Sequence, residues 1–174
     1  MRTIARHSTD RGAVSSKPVL DGVDVAVIEA LQIDGREPFR RIAARIGVSE
    51  ATVRARYQRL CALDVLRVTA VTNPLGLGFE VTAMIAVRTT GVPEAIAEAV
   101  AAWPEADYVV VTAGQYDVLV EAACPDRRTL LDLINRIRGI EGVTATEAFL
   151  YLEMVKQLYD WGAQASRPIG EDVP

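Results

Sequence analysis

Three arginines within six residues, Arg54, Arg56 and Arg59, follow Ser49 and Thr52 in the stretch GVSEATVRARYQRL from Gly47 to Leu60. A guanidinium offers N–H donors in a planar fork that fits phosphate oxygens and the O6/N7 edge of guanine, and a hydroxyl can serve either target. The chemistry on offer is recognition of a polyanion. Around it, residues 36–59 hold Arg36, Arg40, Arg41, Arg45, Arg54, Arg56 and Arg59 against only Glu37 and Glu50, in a chain whose formal net charge is −4. A cationic island in an acidic chain fits a local polyanion site with repulsion elsewhere; by composition alone, a solvated arginine-rich helix face fits equally well.

Other chemistries find little to work with. The single histidine, His7, lies in a polar leader, which removes histidine triads, histidine metal sites and most histidine acid/base catalysis. Cys61 and Cys124 are far apart and form no Cys-x-x-Cys pair, so they read as small buried side chains and not as a disulfide framework or zinc site. There is no phosphate-cradling Gly-Lys motif. No enzyme, metal or cofactor is expected. No apolar run approaches the ~18 to 20 residues that span a bilayer, and the first residues lack the apolar segment of a signal peptide. A soluble, cytoplasmic protein with no membrane partner is expected.

Cations can read a duplex only if an element holds them at its surface. Val23, Val27, Ile28 and Leu31 form an apolar stripe behind Asp21, a good N-cap, and Asp34-Gly35 supplies a stop, which predicts a first helix. Phe39, Ile42, Ala43 and Ile46 recur at helical spacing between Pro38 and Gly47, predicting a short second helix. Ser49 can cap a third, with Val53, Tyr57 and Leu60 inward. Only Gly47 and Val48 separate the last two. Two short helices joined by a tight glycine turn behind a supporting helix form a helix-turn-helix.

At about 100° per residue, Ala51, Ala55 and Gln58 then point away from the core, Thr52 and Arg59 lie beside them, and Arg54 and Arg56 flank the apolar stripe on opposite edges. The alanines let the helix axis approach a groove floor while the longer side chains reach phosphates or base edges. The expected DNA-binding residues are Ser49, chiefly as the cap, Thr52, Arg54, Arg56 and Arg59. This reading requires guanidinium groups directed outward and not locked in ion pairs within the chain. Snorkelling arginines on a solvated helix account for the charge but not for the turn or the capped third helix. A head that contacts protein in place of DNA is the remaining rival.

The rest of the chain follows a different pattern. Residues 1–18 show no apolar period and read as a flexible tail; 19–72 form the helical head, with Leu66–Val71 as a short strand or wing; 73–79, containing Gly76 and Gly78, form a hinge. Beyond it, Val81–Thr89 reads as a strand, Pro93–Ala102 as a helix, Tyr108–Ala113 and Tyr116–Ala123 as strands, Thr129–Arg138 as a helix and Val143–Leu152 as a final strand. The order βαββαβ predicts an α+β, ferredoxin-like sandwich over 80–161 with an open sheet face, for which dimerisation is the simplest cover. The segment KQLYDW, Lys156 to Trp161, is expected to lie either across a neighbouring subunit or on its own domain, and 162–174 form a C-terminal tail.

Both halves together resemble the Lrp/AsnC family of feast/famine transcription regulators, over roughly Leu20 to Trp161. The residues carrying the resemblance are Leu20-Asp21-x-x-Asp24, LQIDGR from Leu31, IAARIGVSEATVRAR from Ile42, Arg59-Leu60, and Gly114-Gln115-Tyr116-Asp117. The resemblance implies a winged helix-turn-helix joined to a regulatory domain that dimerises through its sheet, assembles into tetramers, octamers or larger discs, and binds an amino acid or related metabolite that changes assembly or DNA affinity. It assigns effector binding to Gly114, Gln115, Tyr116 and Asp117, with Thr146 on the last strand. By their residue types alone, the four loop residues equally describe a hairpin turn. The family often has Thr directly before that glycine, where this chain has Ala113 with Thr112 one earlier. It also often has a second Thr two residues beyond Thr146, where this chain has Ala148, and Thr144 is the candidate substitute on the same sheet face.

Overall fold

The computed structural model describes residues 18–157. The chain divides into two compact units, with the break between Thr69 and Ala70.

The first unit holds α1 (Gly22–Ile33), α2 (Phe39–Ile46) and α3 (Glu50–Ala62). Each helix starts where the local chemistry asks. Asp21 Oδ1 accepts from the backbone N–H of Val23 and Asp24 at 3.0 Å each, and Asp24 Oδ2 accepts from the N–H of Asp21 at 3.2 Å, a reciprocal capping box. Ser49 Oγ accepts from the N–H of Thr52 at 3.0 Å. Gly47 takes φ +73° and ends α2, and Val48 N donates to the Ala43 carbonyl at 3.1 Å, so the chain reverses within two residues. Val27, Ile28, Leu31, Ile42, Val53 and Leu60 interlock as the core, with Phe39 and Tyr57 packed at its margin, their rings 5.2 Å apart.

Leu66–Val71, expected as a short strand or wing, forms no strand: none occurs between Ala62 and Val81. The segment has no neighbour to pair with among the described residues. An alternating pattern alone does not make a ladder, because a strand's N–H and C=O groups need a partner chain. The 3-10 turn Leu75–Leu77 lies in the stretch read as the hinge.

The second unit runs β1 (Val81–Thr89), α4 (Pro93–Ala101), β2 (Ala106–Val111), β3 (Val118–Cys124), α5 (Arg127–Arg138) and β4 (Val143–Leu150), a four-stranded antiparallel sheet in the order β2-β3-β1-β4. Ile85 stands opposite both Val120 and Ala148. Val81, Ala83, Ile85 and Val87 of β1 and Val118, Val120, Ala122 and Cys124 of β3 share one face, buried against Ile96 and Val100 of α4 and Leu130, Leu133 and Ile137 of α5. The other face carries Met84, Arg88, Leu119, Glu121, Glu147 and Phe149, and no helix among the described residues covers it. This is the expected α+β sandwich. Element ends differ by a few residues. β2 starts at Ala106 and not Tyr108, and β4 ends at Leu150 and not Leu152. α5 begins at Arg127 because Asp126, not a residue nearer Thr129, is its cap, its Oδ1 accepting from Thr129 N at 2.7 Å. β3 begins at Val118, so Tyr116 and Asp117 lie in the β2–β3 connection. KQLYDW is described only through Gln157, and the remainder lies outside the described residues.

Gly47 allows a clean test of the turn that orients α3. A Cβ there meets nothing within 4 Å, so Gly47→Ala carries only the left-handed backbone cost. That cost is about 1–2 kcal/mol of stability in denaturant unfolding, with Gly47→Asn costing less.

Candidate nucleic-acid interface and effector loop

The face of α3 turned from the core carries Ala51, Ala55 and Gln58, all exposed. Thr52 lies beside them, its Oγ1 2.8 Å from Ser49 Oγ, so both hydroxyls are engaged in the cap but remain at the surface. Arg54 is 57% exposed; it pairs with Glu50 one turn back at 2.8 Å and lies 5.3 Å over the Phe39 ring.

Arg56 and Arg59 do not extend freely outward. Arg56 Nη1 donates to Asp21 Oδ2 at 2.6 Å and Asp24 Oδ1 at 3.2 Å; Arg59 Nη1 donates to Asp24 Oδ2 at 2.7 Å, and its Nη2 to the Val19 carbonyl at 3.1 Å. Asp24 is fully buried. A buried carboxylate is tolerable only when its oxygens are satisfied, and these two arginines together with the Asp21 N–H satisfy both. The condition that these guanidinium groups be free of intramolecular pairs is therefore not met at Arg56 and Arg59. At Arg54 the partner is an exposed carboxylate at i−4, an arrangement worth only about 0.3–0.5 kcal/mol. An incoming phosphate can displace it.

The charge of the head is thus more selectively available than the count of arginines suggests. Arg45 is held bidentately by Glu37, at 3.1 and 3.0 Å, with Glu37 only 8% exposed. Arg40 and Arg41, in the first turn of α2, are exposed and have no ion-pair partner among the described residues. That turn contains no acid, although the helix dipole favours one there. Asp24 was missed as a site residue by sequence reasoning; the Asp21…Asp24 spacing of a capping box was the available signal.

Hydrogen bonds from Asp24 N, and then from the Arg56 guanidinium, hold the Asp21 carboxyl below its ordinary value of 3.8; Arg56 is raised in return, first by Asp21 and then by Asp24.

In the second unit the β2–β3 connection brings Gly114, Gln115, Tyr116 and Asp117 together. Gly114 has φ +149°. Asp117 Oδ2 accepts from Thr89 N at 2.7 Å and Asp117 N donates to the Val87 carbonyl at 2.9 Å, while Thr112 Oγ1 donates to the Tyr116 carbonyl at 2.6 Å. These bonds fix both shoulders of the loop. Between them, the N–H groups of Ala113, Gly114, Gln115 and Tyr116 have no acceptor among the described residues, nor does Asp117 Oδ1 have a donor. The Tyr116 hydroxyl bonds to Glu147 on β4, and Arg88 lies 5.6 Å over the Tyr116 ring, so this side chain spreads over the open sheet face. Thr146 accepts from Arg138 Nε at 2.7 Å. Thr144 donates to the Arg88 carbonyl at 3.1 Å where the β1–β4 register shifts, an irregularity that interrupts the two-residue alternation meant to align it with Thr146. The structure brings the four loop residues together and gives both threonine hydroxyls protein partners.

A helix-turn-helix with an exposed, slender third helix, in one chain with a four-stranded ferredoxin-like unit, defines a transcription regulator built from a DNA-binding head and a sensor module. The comparisons agree. The AsnC-type helix-turn-helix domain matches residues 20–60, and the Lrp/AsnC ligand binding domain matches residues 82–161. The chain belongs to the Lrp/AsnC family: it is a DNA-binding transcriptional regulator with a ligand-binding domain, and not an enzyme. It is 33% identical over 141 residues to the HTH-type transcriptional regulator FL11 of Pyrococcus furiosus, covering 80% of this chain and 93% of that one. It is 34% identical to the uncharacterized HTH-type transcriptional regulator PH0140 of Pyrococcus horikoshii, over 85% of this chain and 93% of that one. Among solved structures it is similar to the feast or famine regulatory protein of M. tuberculosis complexed with L-methionine, with TM-score 0.73 and 26% identity over 79% of this chain and 95% of that one. Among the described residues, no helix is long and apolar enough to cross a membrane.

Asp24→Asn is expected to destabilise the head by about 2–3 kcal/mol in denaturant unfolding, below the full cost of breaking a buried pair because Arg56 and Arg59 keep access to water. A double-mutant cycle with Arg59→Gln is expected to show strong coupling. The lowered Asp21 carboxyl contributes stability that is complete above its ordinary value and lost as pH falls through the lowered one. Asp21→Asn should accordingly flatten the acid limb of the stability profile below about pH 4 and leave its neutral slope unchanged.

Proposed function

We propose that a homodimer of this chain, extending to tetramers or octamers, places two α3 helices in successive major grooves of a pseudo-palindromic site in cytoplasmic DNA, with half-sites about 34 Å apart. The observation carrying this reading is the exposed Ala51/Ala55/Gln58 face of α3, with Arg54 beside it, its one ion pair a displaceable surface pair with Glu50 and its guanidinium over the Phe39 ring. Thr52, Arg54 and Gln58 contact bases or phosphates, Ser49 contributes chiefly through the cap, and Arg40 and Arg41 meet phosphates from the start of α2. Arg56 and Arg59 act mainly as positioning residues, setting α3 against α1 through Asp24. They also lend positive potential to the site edge, since each remains partly exposed.

Arg54→Ala is expected to weaken binding to a selected duplex about tenfold, the loss of one good side-chain contact, while lowering stability by no more than about 1 kcal/mol through loss of the Glu50 pair and the Phe39 contact. Arg59→Ala is expected to lower stability and binding together. Each phosphate neutralised contributes about −0.9 to the slope of log affinity against log salt. A flat salt response in the parent chain would overturn this reading.

We further propose that the 113–117 loop holds an amino-acid effector: its free N–H groups take the α-carboxylate in a backbone concavity, and Asp117 Oδ1 takes the α-amino group. The effector regulates by binding one assembly more tightly than another, because equal affinity shifts nothing. L-Methionine, present in the mycobacterial relative's structure, is the first ligand to test. Calorimetry with a panel of amino acids, followed by sedimentation, is expected to find one that binds and shifts the oligomer distribution. Gly114→Val, strained at its positive φ, should lower that affinity at least about tenfold. A panel in which nothing binds or alters assembly counts against the loop assignment.

A further inference from the structure

The cations of the second unit are gathered on one helix. Between Ala70 and Gln157 only Arg88 and Lys156 lie outside α5, which carries Arg127, Arg128, Arg136 and Arg138, whereas of the carboxylates in that span only Asp132 lies on α5. At about 100° per residue, Arg127, Arg138, Leu131, Asn135 and Arg128 fall within about 100° of one another around the axis. All five are exposed, turned from the buried Leu130, Leu133 and Ile137. Asp132 marks one rim of this face, and Arg136 beyond it is occupied, paired with Glu105 at 2.8 Å and stacked 4.1 Å over the Trp103 ring. Arg127 and Arg128 have no ion-pair partner among the described residues. The cap Asp126 attracts Arg128 through space, but its Oδ1 is taken by Thr129. Arg138 donates from Nε to Thr146 Oγ1, and its Nη groups have no acceptor among the described residues. The first turn of α5 contains no acid, and the positive end of the helix dipole repels the two arginines placed there. Folding of the unit does not account for them.

We propose that this outer face of α5 is a second duplex-binding surface, one that takes backbone phosphates without reading sequence. The chain is a DNA-binding regulator, so duplex DNA is the polyanion it meets. An otherwise acidic unit repels a duplex everywhere except at such a face. From Arg127 to Arg138 the helix axis rises about 16 Å, and each DNA strand presents a phosphate about every 3.4 Å along the duplex. The face therefore spans about four or five phosphates of one strand. Its guanidinium and amide groups are the donors that phosphate oxygens accept from, and they carry no sequence information there. The inference rests on the DNA-binding role of the head and adds a contact outside it, since the helix-turn-helix match ends at residue 60.

The test uses the full chain and a duplex selected from a random-sequence pool, presented alone and extended by several helical turns of arbitrary sequence at each end. The parent is expected to bind the extended duplex about tenfold or more tightly. A variant with Arg127→Ala and Arg128→Ala loses most of that gain, and its salt slope on the extended duplex shrinks by about 2 per subunit. On the unextended site it binds as the parent does. Lysine at both positions restores gain and slope, because a phosphate accepts either cation. Thermal unfolding of the alanine variant is expected at the parent's temperature or slightly above it, since two cations leave the positive end of a helix; a lower temperature would mark a role in folding and overturn the surface. An equal gain and slope in parent and alanine variant overturns the α5 surface and leaves the α3 reading intact. Failure of the lysine variant to restore them overturns phosphate contact. A shifted sedimentation of the alanine variant without DNA overturns the proposal in favour of a contact between copies of the chain. A parent that selects no duplex removes the α3 reading and the α5 surface together.

Discussion

The DNA-reading end of this molecule depends on one buried carboxylate. Asp24 sits in α1 without solvent access and receives hydrogen bonds from the Asp21 backbone and from Arg56 and Arg59 of α3. An apolar side chain would fill that space at less electrostatic cost. It would not fix the rotation of α3 about its axis, because apolar contact is non-directional. Two guanidinium groups on one carboxylate do fix it, since each bond holds only within a narrow range of distance and angle. The capping box shares the same carboxylates, so the start of α1, the roll of α3 and the entry of the chain at Val19 are set together.

This changes how the cationic window acts. Arg45, Arg56 and Arg59 are each tied to a buried or nearly buried acid, whereas among the described residues Arg36, Arg40 and Arg41 are exposed with no ion-pair partner and Arg54 pairs with a surface one. Held cations still shape the local potential, but a buried anion offsets much of their field. Loosely held cations at the start of α2 and on α3 can exchange a weak or absent protein partner for a phosphate at little cost. A count of arginines is therefore a poor guide to contact residues, and the identity of each partner carboxylate is a better one.

Much of the fold was legible because it is written in local chemistry. Asp21, Ser49 and Gly47 announce helix ends through hydrogen-bonding oxygens and a left-handed backbone, and the βαββαβ order follows from alternation of period two and period 3.6. What escaped depended on contacts distant in sequence. Arg59 lies 35 residues from Asp24, and helical-wheel geometry places a side chain on a face without revealing what a neighbouring helix presents there. The Leu66–Val71 pattern misled for the same reason, since a strand is defined by its partner. In the loop, Gly114 was legible from its type, but the use of Asp117 to hold the end of β1 was not.

The loop also bears on what a sensor of this construction can discriminate. Backbone N–H groups and one carboxylate oxygen address the two charged ends that every amino acid shares, so on the proposed reading they supply affinity common to all of them. Thr146 and Thr144 are already bonded to Arg138 and to the Arg88 carbonyl, and the Tyr116 side chain reaches away across the sheet. Little within the loop remains to face a ligand's side chain. On that same reading, selection by side chain would fall to groups from a neighbouring copy of the chain, and a ligand contacted by two copies would bind the assembled form more tightly than the separated one. Specificity and regulation by assembly would arise from the same contacts.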